Sequence, residues 1–413
     1  MAEGAGPGPI DGVAVAAAHP RGHAGSGRVL VALIVGQLGM HAAMAGLRMA
    51  APLQALREGY SAWSVGLLLA LFAAAPVLTA IHAGRLADRL GYHRPVRASA
   101  LLTIAGGVLA VASTFLTGPL HFGLLCLAAM AMGTGTNTGM LVIQRTAGLA
   151  ATDSTERVRV FSWLGVAPSF ANVVGPVAAG FLIDAFGFGA AYGLLMLLPL
   201  ATLVSARQVP RLAPAGVRPP VAGRTAWDLL GTPGFKRLLC VNWLLSMCWD
   251  VHIFAVPVLG HERGFNASTI GLILGAFTLS VTLVRLVIPL LAHRLSELRV
   301  LRSAMLGTGL VFALYPLAPS PWLMGLCAAL LGITLGCVQP MVMSMLHQLT
   351  PDQRHGEALA LRSLVMNLSS TAMPLVFGAA GALTGAALLF WAVGAAVGSG
   401  SWVARGLRAT GKA

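Results

Sequence analysis

Gly84-Arg85-Leu86-Ala87-Asp88-Arg89-Leu90-Gly91-Tyr92-His93-Arg94-Pro95 is a charged stretch set between two long apolar runs. Of the eighteen residues from Leu67 to Gly84, fifteen are Ala, Val, Leu, Ile, Phe or Gly, and a comparable run extends from Ala98 to Leu116. About 20 apolar residues in a helix span a bilayer, so both runs read as transmembrane helices. The charged stretch then reads as a tight turn at a membrane face, with Gly84 and Gly91 supplying the bends.

The rest of the chain has the same texture. Of its 413 residues 57% are hydrophobic and 10% charged, against about 25% charged in soluble domains, and the mean hydropathy is +0.80. Apolar runs lie at roughly 29–56, 62–83, 95–117, 120–147, 159–186 and 189–206, then at 237–260, 267–292, 299–317, 321–348, 357–383 and 386–404. The fold class expected is an all-α membrane protein of twelve transmembrane helices in two six-helix halves, 28–206 and 236–404. A Pro-, Arg- and Gly-rich linker at 207–235 joins them, and polar tails of 1–27 and 405–413 flank them. The first tail lacks the apolar centre of a signal peptide and reads as disordered.

The net charge of +14 does not point to nucleic acid, because basic residues concentrate in alternate loops. Arg85, Arg89, Arg94, Arg97, Arg157, Arg159, Arg207 to Arg237, Arg294, Arg299, Arg302, Arg354, Arg405, Arg408 and Lys412 fall on one side, and chiefly Arg57 and Arg263 on the other. The positive-inside rule puts the first set, and both termini, in the cytoplasm of a cell (inner) membrane protein. The cysteines, Cys126, Cys240, Cys248, Cys327 and Cys337, lie in apolar runs without CxxC spacing and read as inert buried thiols.

The halves repeat. Gly59-Tyr60-Ser61-Ala62-Trp63-Ser64-Val65-Gly66 aligns with Gly264-Phe265-Asn266-Ala267-Ser268-Thr269-Ile270-Gly271, and the same offset pairs Pro52 with Pro257, Arg89 with Arg294 and Arg94 with Arg299. His293 stands opposite Asp88, so the second copy of the charged motif is degenerate. Pro176 and Gly180 match Pro374 and Gly378. A duplicated six-helix unit follows.

The pattern G-x-L-A-D-R-x-G-x-x-R from Gly84 to Arg94 resembles the loop between helices 2 and 3 of the major facilitator superfamily of secondary transporters. The resemblance covers residues 28–404. It implies alternating access between the halves and a gating role for Gly84, Asp88, Arg89, Gly91 and Arg94. Asp88 would meet the N-terminus of helix 11 near Gly356 and Glu357 when the cytoplasmic side is closed, and Arg89 or Arg94 would pair with Asp153 or Glu156. In helix 5, Gly175-Pro176-x-x-x-Gly180 is similar to part of the motif of drug:proton antiporters, with Ala171 and Ala179 replacing two of its glycines. The R-x-x-Q-G of that group is absent, since Ala129 and Met132 stand at its Arg and Gln positions.

Polar groups inside spans are costly and usually face a cavity. On helix 1, Gln37, His41 and Arg48 fall close to one face, with Arg48 a candidate contact for an anion or carboxylate, or else a structural hydrogen bond. Asp250, in Trp249-Asp250-Val251-His252, is the acid set deep in a span. It is the leading proton-coupling candidate, with His41 and His252 behind it, and the alternative is a permanent ion pair with an arginine such as Arg48. His252 and Asp250 point to different helix faces. Asn137 and Gln144 share a face of helix 4 beside Arg145; Thr278, Thr282 and Arg285 lie on helix 8; Gln339 and His347 on helix 10; Arg362, Asn367 and Ser370 on helix 11. Arg145, Arg285 and Arg362 reach the substrate path or snorkel to the cytoplasmic surface. Met40, Met44, Met247, Met341, Met343 and Met345 either line the path or face lipid.

Catalytic sets, metal clusters and a phosphate-binding loop are missing: Gly133-x-Gly135 lies in an apolar helix with no P-loop lysine after it. The expectation is therefore no enzyme and no cofactor or metal. The chain reads as a gradient-driven, proton-coupled, monomeric transporter of a small organic solute, leaning to efflux. Its partners are the solute, protons and the lipid bilayer, not nucleic acid. An organic-anion or carboxylate transporter using Arg48 and the other cavity arginines is the second reading, and a non-transporting membrane sensor the third.

Overall fold

The computed structural model describes residues 23–150, 154–210, 226–291, 296–351 and 354–407, and within these it does not describe the side chains of 23–26, 79–89, 149–150, 154–159, 161–162, 226, 289, 355–356 and 360. Its helices are α1 (His23–Arg57), α2 (Ala62–Leu90), α3 (His93–Ser113), α4 (Gly118–Ala150), α5 (Ser154–Phe186), α6 (Phe188–Leu197), α7 (Leu200–Ser205), α8 (Phe235–Glu262), α9 (Ala267–Leu291), α10 (Glu297–Leu314), α11 (Pro321–Gly336), α12 (Val338–Leu349) and α13 (His355–Arg405). Without water to hydrogen-bond a backbone in hydrocarbon, the helix satisfies each peptide group within its own segment.

Ten described helical segments are long and apolar enough to cross a membrane, and Ala62–Leu78 adds a shorter one. One of the ten, Glu357–Arg405, counts twice. Gly385 has φ 81°, ψ 161° inside α13 and folds it into two antiparallel arms. Gly187, with φ 83°, makes the matching turn between α5 and α6 in the first half. These conformations belong to glycine because a Cβ would be strained there. Twelve crossings result, six in each half.

Three details depart from the spans drawn on the sequence. The Gly84–Pro95 stretch is not all turn: α2 remains helical through Leu90, and Gly91 (φ 68°) alone makes the reversal before α3. The sixth and tenth spans are broken, into α6 and α7 and into α11 and α12. Prolines explain both breaks, since Pro199 and Pro340 have no N–H to return to the carbonyl one turn earlier.

Within each half the helix ends are tied by polar contacts at the face that carries the Gly59, Gly118, Gly187, Gly264 and Gly385 turns. In the first half Tyr192 Oη donates to Gln54 Oε1 at 2.6 Å, Gln54 Nε2 to Glu58 Oε1 at 3.1 Å, and Glu58 Oε2 lies 3.1 Å from His121 Nε2. The other ring nitrogen of His121 is 2.8 Å from the Ser113 carbonyl. In the second half Arg263 donates to the carbonyls of Pro316 and Ala318, locking α8 to the end of α10.

The halves meet along two seams, α5 against α9 and α2 against α13. Both are built by one device. At the first, a Cβ on Gly271 would stand 2.5 Å from the Pro176 carbonyl oxygen, and one on Gly180 2.5 Å from that of Ala267. At the second, a Cβ on Gly66 would collide with the Pro374 carbonyl, and one on Gly378 would stand 3.0 Å from the Ala62 oxygen. The repeat seen in the sequence is thus a repeated backbone-to-backbone contact, of the kind small residues permit between membrane helices.

Gly271→Ala and Gly66→Ala are each expected to lower the thermal midpoint of the purified protein, at an overpacking cost of about 1–3 kcal/mol. Gly123→Ala, at a site with nothing within 4 Å of the added methyl, serves as the matched control. Equal midpoints for all three variants would mean that the seams tolerate the methyl and are not close-packed.

Candidate functional site

α1 and α8 are the most buried of the spans, 61% and 72% over their most apolar windows, and they occupy the centre of the bundle. A small cleft opens where they meet α5 and α9. Ala45, Arg48 and Met49 of α1, Asn172 and Pro176 of α5, Trp249 and Ile253 of α8, and Leu274, Phe277 and Thr278 of α9 line it. Both halves contribute, so any relative movement of the halves reshapes the cleft.

Arg48 brings the one full charge among these lining residues, and its Nε is buried without a hydrogen-bond partner. Asp250, on α8 in the other half, is 7% exposed. It accepts a hydrogen bond from Ser370 Oγ of α13 at 3.3 Å. Arg48 and Asp250 come from opposite halves, and no hydrogen bond joins them. An unpaired donor in a low-dielectric cleft represents an unmet interaction that an acceptor on a ligand would complete.

The α1 face continues away from the glycine turns. His41 Nε2 lies 3.4 Å from Asn172 Nδ2, and His41 Nδ1 and Gln37 Oε1 are buried without partners. Gln37, His41 and Arg48 therefore form one polar stripe, joined to the cleft through Asn172. Asp250 and His252 diverge. His252 is fully buried, its Nε2 3.0 Å from Tyr315 Oη and its ring 4.4 Å from that of Phe277. It is absent from the cleft lining and belongs to an aromatic cluster inside the second half.

The remaining candidates lie off this cleft. Arg285 Nη2 donates to Gln339 Oε1 at 3.0 Å, pairing two of them between α9 and α12. Arg362 Nη2 reaches Asn242 Oδ1 at 3.5 Å. Arg285 and Arg362 each keep a buried Nε without a partner. Asn137 returns its amide to the Gly133 carbonyl at 2.8 Å, Gln144 is half-buried, and Asn367 is exposed. Met40, Met44, Met247, Met341 and Met345 are buried in helix packing, and Met49 is the methionine that lines the cleft.

Of the residues to which the resemblance gives a gating role, Gly175 and Gly180 approach backbone of other helices, Gly175 that of α1 at Ala42 and Gly46, and Gly180 that of α9. Pro176 is buried beside them and Arg94 is exposed. The side chains of Gly84, Asp88, Arg89, Asp153 and Glu156 lie outside the described residues.

Sequence reasoning passed over Trp249 and Phe277 as cleft walls, since aromatic residues in an apolar span carry no distinguishing signal. Asn172, just ahead of Gly175-Pro176 in the helix 5 motif, was given no place in a cleft either. Sequence reasoning also passed over Asp184. The Asp184 carboxylate accepts hydrogen bonds from the backbone N–H groups of Ala267 (3.0 Å) and Ser268 (2.7 Å), and Arg57 Nη2 lies 3.8 Å away. The available signal was an acid within a turn of the Gly187 reversal, in a chain with few acids in its spans.

The Major Facilitator Superfamily model matches residues 33–237 and again 238–411, dividing the chain between its two halves. The class G tetracycline resistance protein of Vibrio anguillarum is 27% identical over 376 residues, covering 88% of this chain and 92% of that protein. The class C tetracycline resistance protein of Escherichia coli is 26% identical over 343 residues, covering 80% and 84%. Among solved structures, a POT family transporter in complex with a thioalcohol-conjugated peptide superposes with a TM-score of 0.74 at 14% identity, over 91% of this chain and 95% of that one. A mutant of the nucleoside transporter NupG does so with 0.72 at 14%, over 91% and 99%. At such identities the two structures speak for the fold alone. The two-half fold, the shared central cleft and a match across both halves have one explanation: this chain belongs to the Major Facilitator Superfamily and is a multi-pass membrane transporter.

Proposed function

We propose that this transporter exports a small organic solute across the cell (inner) membrane, as a monomer, by alternating access coupled to protons. Orientation rests on charge. Arg94, Arg97, Arg207, Lys236, Arg237, Arg299, Arg302, Arg354 and Arg405 lie at the face opposite the glycine turns, whereas Arg57 and Arg263 lie near those turns. The positive-inside rule makes the basic face, with both termini, cytoplasmic.

The observation that carries the reading is the Arg48–Asp250 relation. Arg48 of the first half lines the cleft with its Nε unpartnered, and Asp250 of the second half is buried and accepts a hydrogen bond from Ser370, with no hydrogen bond between the two. Protonating Asp250 removes a buried negative charge from the second half and alters the balance between the two arrangements of the halves, while the unpartnered Arg48 Nε stays available to an acceptor on the solute. Trp249, Phe277 and Met49 supply apolar walls for the solute body. The tetracycline resistance proteins among its relatives favour a drug-like solute and outward transport. A second reading, transport of organic anions, is favoured by the unpartnered Nε atoms of Arg48, Arg285 and Arg362.

In proteoliposomes with an imposed pH gradient and tetracycline as probe, Asp250→Asn is expected to cut gradient-driven accumulation about tenfold or more, equivalent to about 1.4 kcal/mol, while sparing downhill exchange. Undiminished accumulation would remove Asp250 from coupling.

Thermal shifts against matched organic anions, lipophilic cations and neutral drugs separate the two substrate readings, because a bound ligand raises the midpoint by mass action. Arg48→Ala is expected to weaken anionic ligands about 10- to 100-fold, the value of a charged hydrogen bond, and to leave neutral ones unchanged. Stabilisation by cations or neutral compounds alone would make Arg48 structural.

A further inference from the structure

The geometry points to Asp184 as the latch of the outer face: its carboxylate, steadied by Arg57, clamps the first turn of α9 and holds the two halves together there in the conformation seen here. The inference rests on the alternating-access reading above.

Four observations converge. First, the bonds cross between halves. Asp184 ends α5 in the first half, and the Ala267 and Ser268 N–H groups it receives begin α9 in the second. The other side-chain bonds described at this face, those of Gln54, Tyr60, His121, Tyr192 and Arg263, stay within a half. Second, the geometry suits a carboxylate. The first N–H groups of a helix have no partner within it and carry the positive end of its dipole, and each Asp184 oxygen takes one of them.

Third, the anion is held from behind. Arg57, in the last turn of α1, has Nη2 3.8 Å from Asp184 Oδ1, and its guanidinium lies 5.4 Å from the centre of the Phe188 ring. α1, α5 and α6 therefore fix the carboxylate to one rigid half. Fourth, the latch is asymmetric. The repeat relation that pairs Gly180 with Gly378 and Pro176 with Pro374 puts Ala382 at the Asp184 position. The N-cap of the α2 helix there is Ser61, which makes no side-chain cap bond. Both seams share the glycine approach, and one alone has a charge at this position.

Opening the outer face separates α9 from α5. The Ala267 and Ser268 N–H groups and the carboxylate would then each lose their partner, so the bonds stabilise the closed arrangement and not the open one. Asp184 thus biases the equilibrium between outward-open and outward-closed states without touching the solute.

Hydrogen exchange read by mass spectrometry on the full-length protein in nanodiscs, without solute, tests this. A latch predicts that Asp184→Ala speeds exchange not only at 264–272 but also at the outer end of the other seam, 62–70, by about tenfold, the population change expected from losing a charged hydrogen bond. Exchange at the cytoplasmic ends of α4 and α12 should slow in the same variant. Asp184→Asn, which keeps an acceptor, should give a smaller shift in the same direction and decides the matter if the alanine variant does not fold. Ser61→Ala should match wild type. Faster exchange confined to 264–272 would mean a local helix cap and overturn the latch, as would no change or an equal response to Ser61→Ala. If both faces gain exchange together, alternating access itself fails and takes the latch with it.

Discussion

Backbone meets backbone at the seams between the halves, Gly271 against Pro176 and Gly66 against Pro374, and much else depends on that approach. Lipid offers no hydrophobic drive for helices to associate, so close packing and hydrogen bonds must hold them. A glycine facing a carbonyl gains contact area without burying any unmatched polar group. At these points backbone faces backbone, while further along the same seam the Val177 side chain of α5 packs against Gly275 of α9. Such a surface can be tight in one arrangement and still part in another, which a side-chain jigsaw would resist.

Around those seams the polar contacts have a consistent division of labour. The Tyr192–Gln54–Glu58–His121 chain and the Arg263 clasp on the α10 end stiffen each half internally. Arg48, half-buried with an unpartnered Nε, lines the cleft between the halves, and Asp250 is buried on α8 with Ser370 as its hydrogen-bond partner. Buried charges without full compensation are costly, and a cleft that keeps them in that condition is poised to respond to a proton or a ligand. Rigid halves with an unsatisfied centre are what a moving transporter requires.

The Arg48–Asp250 relation and the Asp184 contact act at different levels. Arg48 lines the cleft, where the proposed solute would meet it; Asp184 joins α5 to α9 at the outer face, where the proposed latch would act. Each couples the halves through charge, and each has no counterpart under the repeat. The duplication explains the frame, and the departures from it mark where function is carried.

Much of this was legible in the residues. Long apolar runs determined twelve crossings because a bilayer admits only self-satisfied backbone, and the Gly66/Gly271 and Pro176/Pro374 matches exposed the duplication. The Gln37, His41, Arg48 stripe followed from helical spacing alone. The breaks at Pro199 and Pro340 were legible in principle, though an apolar run conceals them. Other features were decided only by tertiary structure. That Asp250 meets Ser370 while His252 turns to Tyr315, that Trp249 and Phe277 wall the cleft, and that Asp184 reaches α9 all depend on contacts between segments far apart in the chain. Sequence periodicity tells which face of a helix a residue occupies, and only packing tells what that face meets.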